Sequence, residues 1–195
     1  MDLLGHHPVC CKFNNPVKRH QVVQDLLVQL CRDAGHGCRK EGKALDSTRP
    51  GDVLVLNWLS GKPAAVDVTI RDPLLPSGPL SGAAAFPAWQ EKLEHNKVLK
   101  YTRQCTTLGW DFIPFLCDVY GGLGKCAHHF TARLAKVQFD NASHQDRRLA
   151  EASVWQQLSF SIMKEVGRQL SWALFLTPQG DGEAPAPPSL MSAFW

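Results

Sequence analysis

Two short apolar runs, each carrying one aspartate, constrain this chain more than any other feature. The first lies in Arg49-Pro-Gly-Asp-Val-Leu-Val-Leu-Asn-Trp58, the second in Lys62-Pro-Ala-Ala-Val-Asp-Val-Thr-Ile70. Val53, Leu54, Val55 and Leu56 form one apolar run, and Ala64, Ala65, Val66, Val68 and Ile70 form the other. Such runs suit strands covered on both faces. Leu59-Ser-Gly-Lys-Pro63 between them is short and contains Gly and Pro, as a hairpin turn requires. An ionised carboxylate in a covered strand is costly unless a cation or several donors meet it. Asp52 and Asp67, on paired strands, therefore look like half of a metal site.

The rest of the chain sets the frame for that hairpin. Its 195 residues, 44% of them apolar, suffice for one good core. The net charge of +3 permits nucleic-acid binding without arguing for it, since dedicated binders cluster far more Lys and Arg. Seven cysteines in no regular framework point to a reducing compartment. The opening Met-Asp-Leu-Leu-Gly has no basic region leading into an apolar one, so no signal peptide is expected. No apolar run reaches membrane-spanning length. A soluble intracellular protein is the expectation.

Residues 1–15 hold His7 and Cys11 at a His-x3-Cys spacing, half of a zinc site. A frayed terminus with chance ligands is the plainer reading. Residues 16–34 read as a helix, with Val22, Val23, Leu26, Leu27, Leu30 and Ala34 on one face and Gly35 as the stop. Arg19 falls on the edge of that face, to meet phosphate or an acid or to snorkel; Asp25 points away. Residues 37–43 read as a charged edge strand whose one carboxylate is Glu41. Residues 71–83, rich in Pro, Gly and Ser, form a flexible connection suited to substrate contacts.

A second long helix is expected over 87–108, opened by Pro87 and stopped by Gly109. At about 100° per residue, Trp89, Leu93, Tyr101 and Leu108 share a stripe, and Lys97 and Lys100 fall within it. An ammonium there must snorkel, pair with an acid or serve a site. Residues 110–119 read as a strand that Pro114 pushes toward a sheet edge or a bulge. Asp118 at its end is a site residue or, more plainly, a solvated acid, and Gly121, Gly122 and Gly124 make a turn. Beyond 126 the pattern is helical, first with Phe130, Leu134 and Val137. A longer helical stretch over 145–176 then places Leu149, Ala152, Gln156, Phe160, Met163, Gly167, Leu170 and Leu174 on the apolar stripe. Arg147, Arg148, Lys164 and Arg168 give that stretch a basic exterior. Residues 177–195 read as a disordered tail.

The order helix, three strands, helix, strand resembles the αβββαβ core of the PD-(D/E)XK nuclease superfamily, the restriction-endonuclease-like α/β fold. Pro50-Gly51-Asp52 matches the family's proline-and-aspartate strand, and Asp67 matches the acid of its (D/E)-x-K motif. The motif's lysine would fall at position 69, which is Thr69; Lys97 or Lys100, reaching in from the second helix, would replace it. A wider pattern is similar to the nuclease-like domains that follow reverse transcriptase in eukaryotic retroelement proteins. It comprises Arg19-His20, Arg49-Pro-x-Asp-Val, Asn57-Trp58, Gly61-Lys-Pro-Ala-Ala, Asp67-x-Thr, Lys97-x2-Lys-Tyr101, Gly109-Trp and Gly121-Gly-x-Gly124. Gly5-x-His7-x3-Cys11 resembles the end of the zinc-binding segment that precedes such domains.

The resemblance implies a remnant of that segment over 1–15, a nuclease-like core over 16–125 and a helical extension over 126–176. It implies hydrolysis of DNA phosphodiesters with Mg²⁺ or Mn²⁺. Asp52, Asp67 and the Val68 carbonyl would hold the ion, Lys97 or Lys100 would stand near the attacking water, and Glu41 would assist through water. Arg19, Arg49 and Lys62 would contact nucleic acid, and a Zn²⁺ on His7 and Cys11 is a secondary expectation. A nuclear location and a reverse transcriptase domain as partner follow from the same likeness. Two further readings stay open: a nucleic-acid-binding module without turnover, which Thr69 favours, and an interaction domain with no nucleic-acid role. Asp67 paired with an inward lysine would then be a buried ion pair.

Overall fold

In a computed structural model, residues 16–40, 50–74, 82–139 and 144–175 are described. They form a mixed α/β architecture: helix α1 (Pro16–Asp33), strands β1 (Cys38–Lys40), β2 (Val53–Val55) and β3 (Ala64–Arg71), helix α2 (Gly82–Thr107), strand β4 (Asp111–Asp118), and helices α3 (Lys125–Gln138) and α4 (His144–Phe175). The strands lie in the order β1-β2-β3-β4. The first two pairings are antiparallel and β3 pairs with β4 in parallel. The expected element order therefore holds from α1 to α4.

The central hairpin forms where its sequence places it. Val53 faces Val66 and Val55 faces Ala64 across the ladder, and a short 3-10 turn at Leu59–Gly61 joins the strands. Gly51 admits no side chain: a Cβ there would lie 2.9 Å from the Val66 carbonyl oxygen. The backbone of Asp52 thereby comes close enough for its N–H to donate to that oxygen at 2.8 Å.

Alternation along the strands splits the sheet into two faces. Val53, Val55, Ala64, Val66, Val68, Phe115 and Cys117 join the main core with Val23 and Leu27 of α1, Phe130 and Leu134 of α3, and Val154, Leu158 and Ile162 of α4. The helices after β4 thus share one core with the sheet. The other face carries Leu54, Ala65, Asp67, Thr69 and Leu116, and α2 covers it along β4. Val53, Leu54 and Val55 of the first run and Ala64, Ala65, Val66 and Val68 of the second are buried, whereas Leu56, expected to be covered, is 41% exposed. β4 ends the sheet, and Pro114, which cannot donate to a ladder, is accommodated in this outermost strand.

Four expectations are corrected. Helix α2 begins at Gly82, so Pro87 lies inside it; the alanines at 83–85, strong helix formers, carry the helix upstream. Its inward face is Gln90, Glu94 and Cys105, flanked by Leu93, Lys97 and Tyr101, whereas Leu108 is exposed. Asp118 is buried, and its Oδ1 accepts the N–H groups of Tyr120 and Gly122, closing the turn after β4.

The largest correction concerns α4. Leu149, Phe160 and Met163 of the expected stripe are 62%, 69% and 55% exposed, while Ala150, Val154, Leu158 and Ile162 are buried. The two sets lie on opposite sides of the helix at about 100° per residue. Both sides are apolar enough to pass as the core face. The buried one has the β-branched Val154 and Ile162 against α1 and α3, with Gln169 at its end taking Arg19. Leu158→Ala should therefore cost about 2–5 kcal/mol in urea unfolding, whereas Phe160→Ala should stay within about 0.5 kcal/mol of the parent.

Glu94 is the unforeseen buried acid on α2. Its Oε1 accepts the backbone N–H of Cys126 at 3.0 Å, in the first turn of α3. A carboxylate at a helix N-terminus satisfies an orphan donor and meets the positive end of the helix dipole. Gly124 makes room, since a Cβ there would sit 2.4 Å from the same oxygen.

Candidate active site

Asp67 stands mid-strand on β3, on the sheet face that α2 covers. Lys97, from the inward side of α2, places its Nζ 2.8 Å from Asp67 Oδ2. The Thr69 hydroxyl also donates toward that oxygen, at 3.4 Å. Burial raises the Asp67 pKa; the Lys97 hydrogen bond and charge pull the other way and do not win. The nearby Asp52 carboxylate adds repulsion.

Asp52 enters from the start of β2. Its Oδ2 accepts the Val68 N–H at 2.8 Å and lies 3.2 Å from His20 Nε2. The same His20 nitrogen is 3.0 Å from the Val68 carbonyl oxygen. A carbonyl only accepts, so Nε2 carries a proton and donates to both oxygens. Burial opposes ionisation of Asp52, but the His20 hydrogen bond and charge, the Val68 N–H and the Lys97 charge together lower its pKa. His20 moves the opposite way: its hydrogen bond to Asp52 is the main cause raising it above 6.5, against desolvation. Four side chains from α1, β2, β3 and α2 thus converge: His20, Asp52, Asp67 and Lys97.

Three of the four stand out in the sequence. His20 does not, because a histidine on a helix edge carries no signal of what it faces; its place in Arg19-His20 is the only clue. Lys100 is exposed, with its ammonium 4.8 Å from the Tyr101 ring centroid, so Lys97 is the lysine that engages an acid. Val68 presents its N–H to Asp52 and its carbonyl to His20. Arg19 does not offer a surface for nucleic acid: it is 6% exposed, and its Nη1 donates to Gln169 Oε1 at 3.0 Å. Being one residue before His20, it turns to the α4 side of α1. Lys62 is exposed just after the hairpin turn, five residues and about 16 Å of strand before Asp67, too far to join it. Glu41, Arg49, His7 and Cys11 lie outside the described residues, as do the expected zinc remnant and C-terminal tail.

The described thiols offer no competing nucleophile. Burial pushes Cys105 and Cys126 up to about 11, and drives Cys31 and Cys117 higher still. A thiol is nucleophilic as thiolate, which these are not at neutral pH. Among the described residues no helix is long and apolar enough to cross a membrane.

The His20–Asp52 contact has a defined pH signature. A raised histidine pKa stabilises the fold below its unfolded value and loses that contribution as pH rises through the raised value. A lowered aspartate pKa stabilises above 3.8 and is lost as pH falls through the lowered value. The pair therefore contributes fully between 3.8 and 6.5. His20→Ala should lower stability there by roughly 1 kcal/mol, a value reduced by solvent access. The gap from wild type should narrow as pH climbs past 6.5. Thermal melts across that range check it; a gap independent of pH would mean His20 acts through packing alone.

No protein-family model, no curated protein and no solved structure matches this chain.

Proposed function

We propose that this protein is a metal-dependent DNA endonuclease built on a restriction-endonuclease-like αβββαβ core, akin to the domains that follow reverse transcriptase in retroelement proteins. The observation that carries the reading is the meeting of Asp52 and Asp67, from neighbouring antiparallel strands, with Lys97 from the covering helix. The donor set suits Mg²⁺ or Mn²⁺. Two carboxylates and the Val68 carbonyl are hard oxygen ligands, and such ions keep several waters. Among the described residues no group of three or more His, Cys, Asp or Glu side chains is placed to hold a metal ion, so the cation would rest on the two carboxylates, the Val68 carbonyl and water. Bound there, the ion would supply Lewis-acid stabilisation of the phosphodiester and lower the pKa of the attacking water.

In this reading Asp52, Asp67 and the Val68 carbonyl, which now accepts from His20 Nε2, would hold the cation. Lys97 orients the attacking water and steadies the charge that develops on the phosphate. Thr69 occupies the place of the motif's lysine and holds Asp67 Oδ2 instead. Work on chromosomal DNA beside a reverse transcriptase, in the nucleus, belongs to the same reading.

One observation favours a second reading, a DNA-binding module without turnover. Each acid already has a protein donor, Lys97 on Asp67 and His20 on Asp52. Such a site would be neutralised internally, and binding would be steeply salt-dependent and indifferent to metal. Incubation with supercoiled, linear duplex and single-stranded DNA in Mg²⁺ or Mn²⁺ separates the two. Nicking that disappears in Asp67→Ala is the expected result. DNA left intact with either metal sinks the endonuclease reading, and metal-independent binding then favours the second.

A further inference from the structure

A cavity of about 220 Å³ lies between β3, β4 and α2. It begins where the site ends, since Thr69 and Lys97 belong to both. Arg71 is four residues past Asp67 on the same sheet face, about 13 Å of strand away. The cavity wall has two chemistries. Leu93, Pro114 and Leu116 supply apolar surface, while Arg71, Asn96 and Lys100 bring donors and positive charge. Among the described residues the Arg71 guanidinium and the Asn96 amide have no hydrogen-bonding or ion-pairing partner. The one acid of the wall, Glu94, gives its Oε1 to the Cys126 amide. Lys97 is held by Asp67 and Lys100 lies over the Tyr101 ring, which leaves Arg71 as the cation turned to a ligand.

We propose that this pocket seats one unpaired nucleotide of a DNA strand, next to the phosphate that a cation on Asp52 and Asp67 would meet; the inference rests on the DNA-processing reading above. Cations beside an apolar surface fit a phosphate joined to a sugar and base; proteins that take single strands pair a positive groove with aromatic rings, and here the aliphatic Leu93, Pro114 and Leu116 would take the face of the base. The volume is below that of sites for drug-sized ligands, so it takes part of one nucleotide, with the rest in the open, and is too small for a base pair. The protein therefore selects DNA in which a nucleotide beside the scissile position is free of its partner, as in a bubble, a flap or a single strand.

Two substitutions probe the pocket by different physics. Arg71→Ala removes a phosphate contact, and Asn96→Trp fills the space without changing net charge. Fluorescence anisotropy, without divalent metal, would compare a short labelled single-stranded oligodeoxynucleotide with the same sequence as a blunt duplex. Wild type and Asp67→Asn should both bind the single strand more tightly than the duplex. Each pocket variant, with unchanged circular dichroism and melting temperature, should weaken single-strand binding about tenfold and erase the preference. Arg71→Ala should also shallow the salt slope by about one contact. Equal affinity of wild type for both forms, or folded pocket variants that bind like wild type, would overturn the proposal. If the pocket variants behave as expected while DNA is never cut, the endonuclease reading falls and the seat stands. If both variants still cleave with an unaltered strand preference, the seat falls and the endonuclease reading stands.

Discussion

Asp67→Asn is expected to cut metal-dependent strand cleavage by at least about a thousandfold without costing the protein stability. Cleavage needs the carboxylate charge, which the amide lacks. Stability does not, because the fold holds Asp67 at a raised pKa with burial as the leading cause. A carboxyl that binds its proton more tightly when folded favours the folded state at low pH and works against it as pH rises through the raised value. Asparagine keeps the shape and the Thr69 contact while removing that opposition. Lys97, whose side chain is 30% exposed, can turn its ammonium toward water. Nicking rates and urea midpoints at neutral pH check both halves. A variant that cleaves like wild type removes Asp67 from the site; one that loses several kcal/mol makes the acid a structural residue.

Lys97→Met should have the opposite balance. It leaves the Asp67 carboxylate, 12% exposed, without its cation, and removing one member of a buried pair costs about 3–5 kcal/mol. The loss should be greatest above neutral pH and shrink on acidification, as the lone carboxyl takes up a proton. Asp67→Asn combined with Lys97→Met should recover most of the stability while remaining inactive. Thermal melts of the four proteins across pH form a double-mutant cycle that isolates the pair. If the double variant is no better than Lys97→Met alone, the lysine stabilises through its stem rather than through its charge.

The hairpin was legible because each of its signals is local: two apolar runs, a Gly-Pro turn between them and one acid in each. Lys97 was legible because an ammonium on an inward stripe breaks the helical pattern. What the sequence did not reveal depends on partners distant in the chain. Glu94 reads as an ordinary outward glutamate until the start of α3, 32 residues later, supplies its donor. Leu149, Phe160 and Met163 make as good a stripe as Val154, Leu158 and Ile162; only the presence of α1 and α3 decides between them. Arg19 and His20 are neighbours in sequence yet serve opposite purposes, one meeting Gln169 on α4 and the other Asp52 on β2. No property of the dipeptide distinguishes them.

The Glu94–Cys126 bond joins helices that lie on opposite faces of the sheet, and β4 runs between them. It works as a clasp around the sheet's outer margin. Neither helix can peel away without stripping the start of α3 of this partner, so the amide protons of β4, α2 and α3 should exchange with solvent as one cooperative block. A margin fastened in this way is also poorly placed to recruit a foreign strand, the hazard of any sheet that ends in the open.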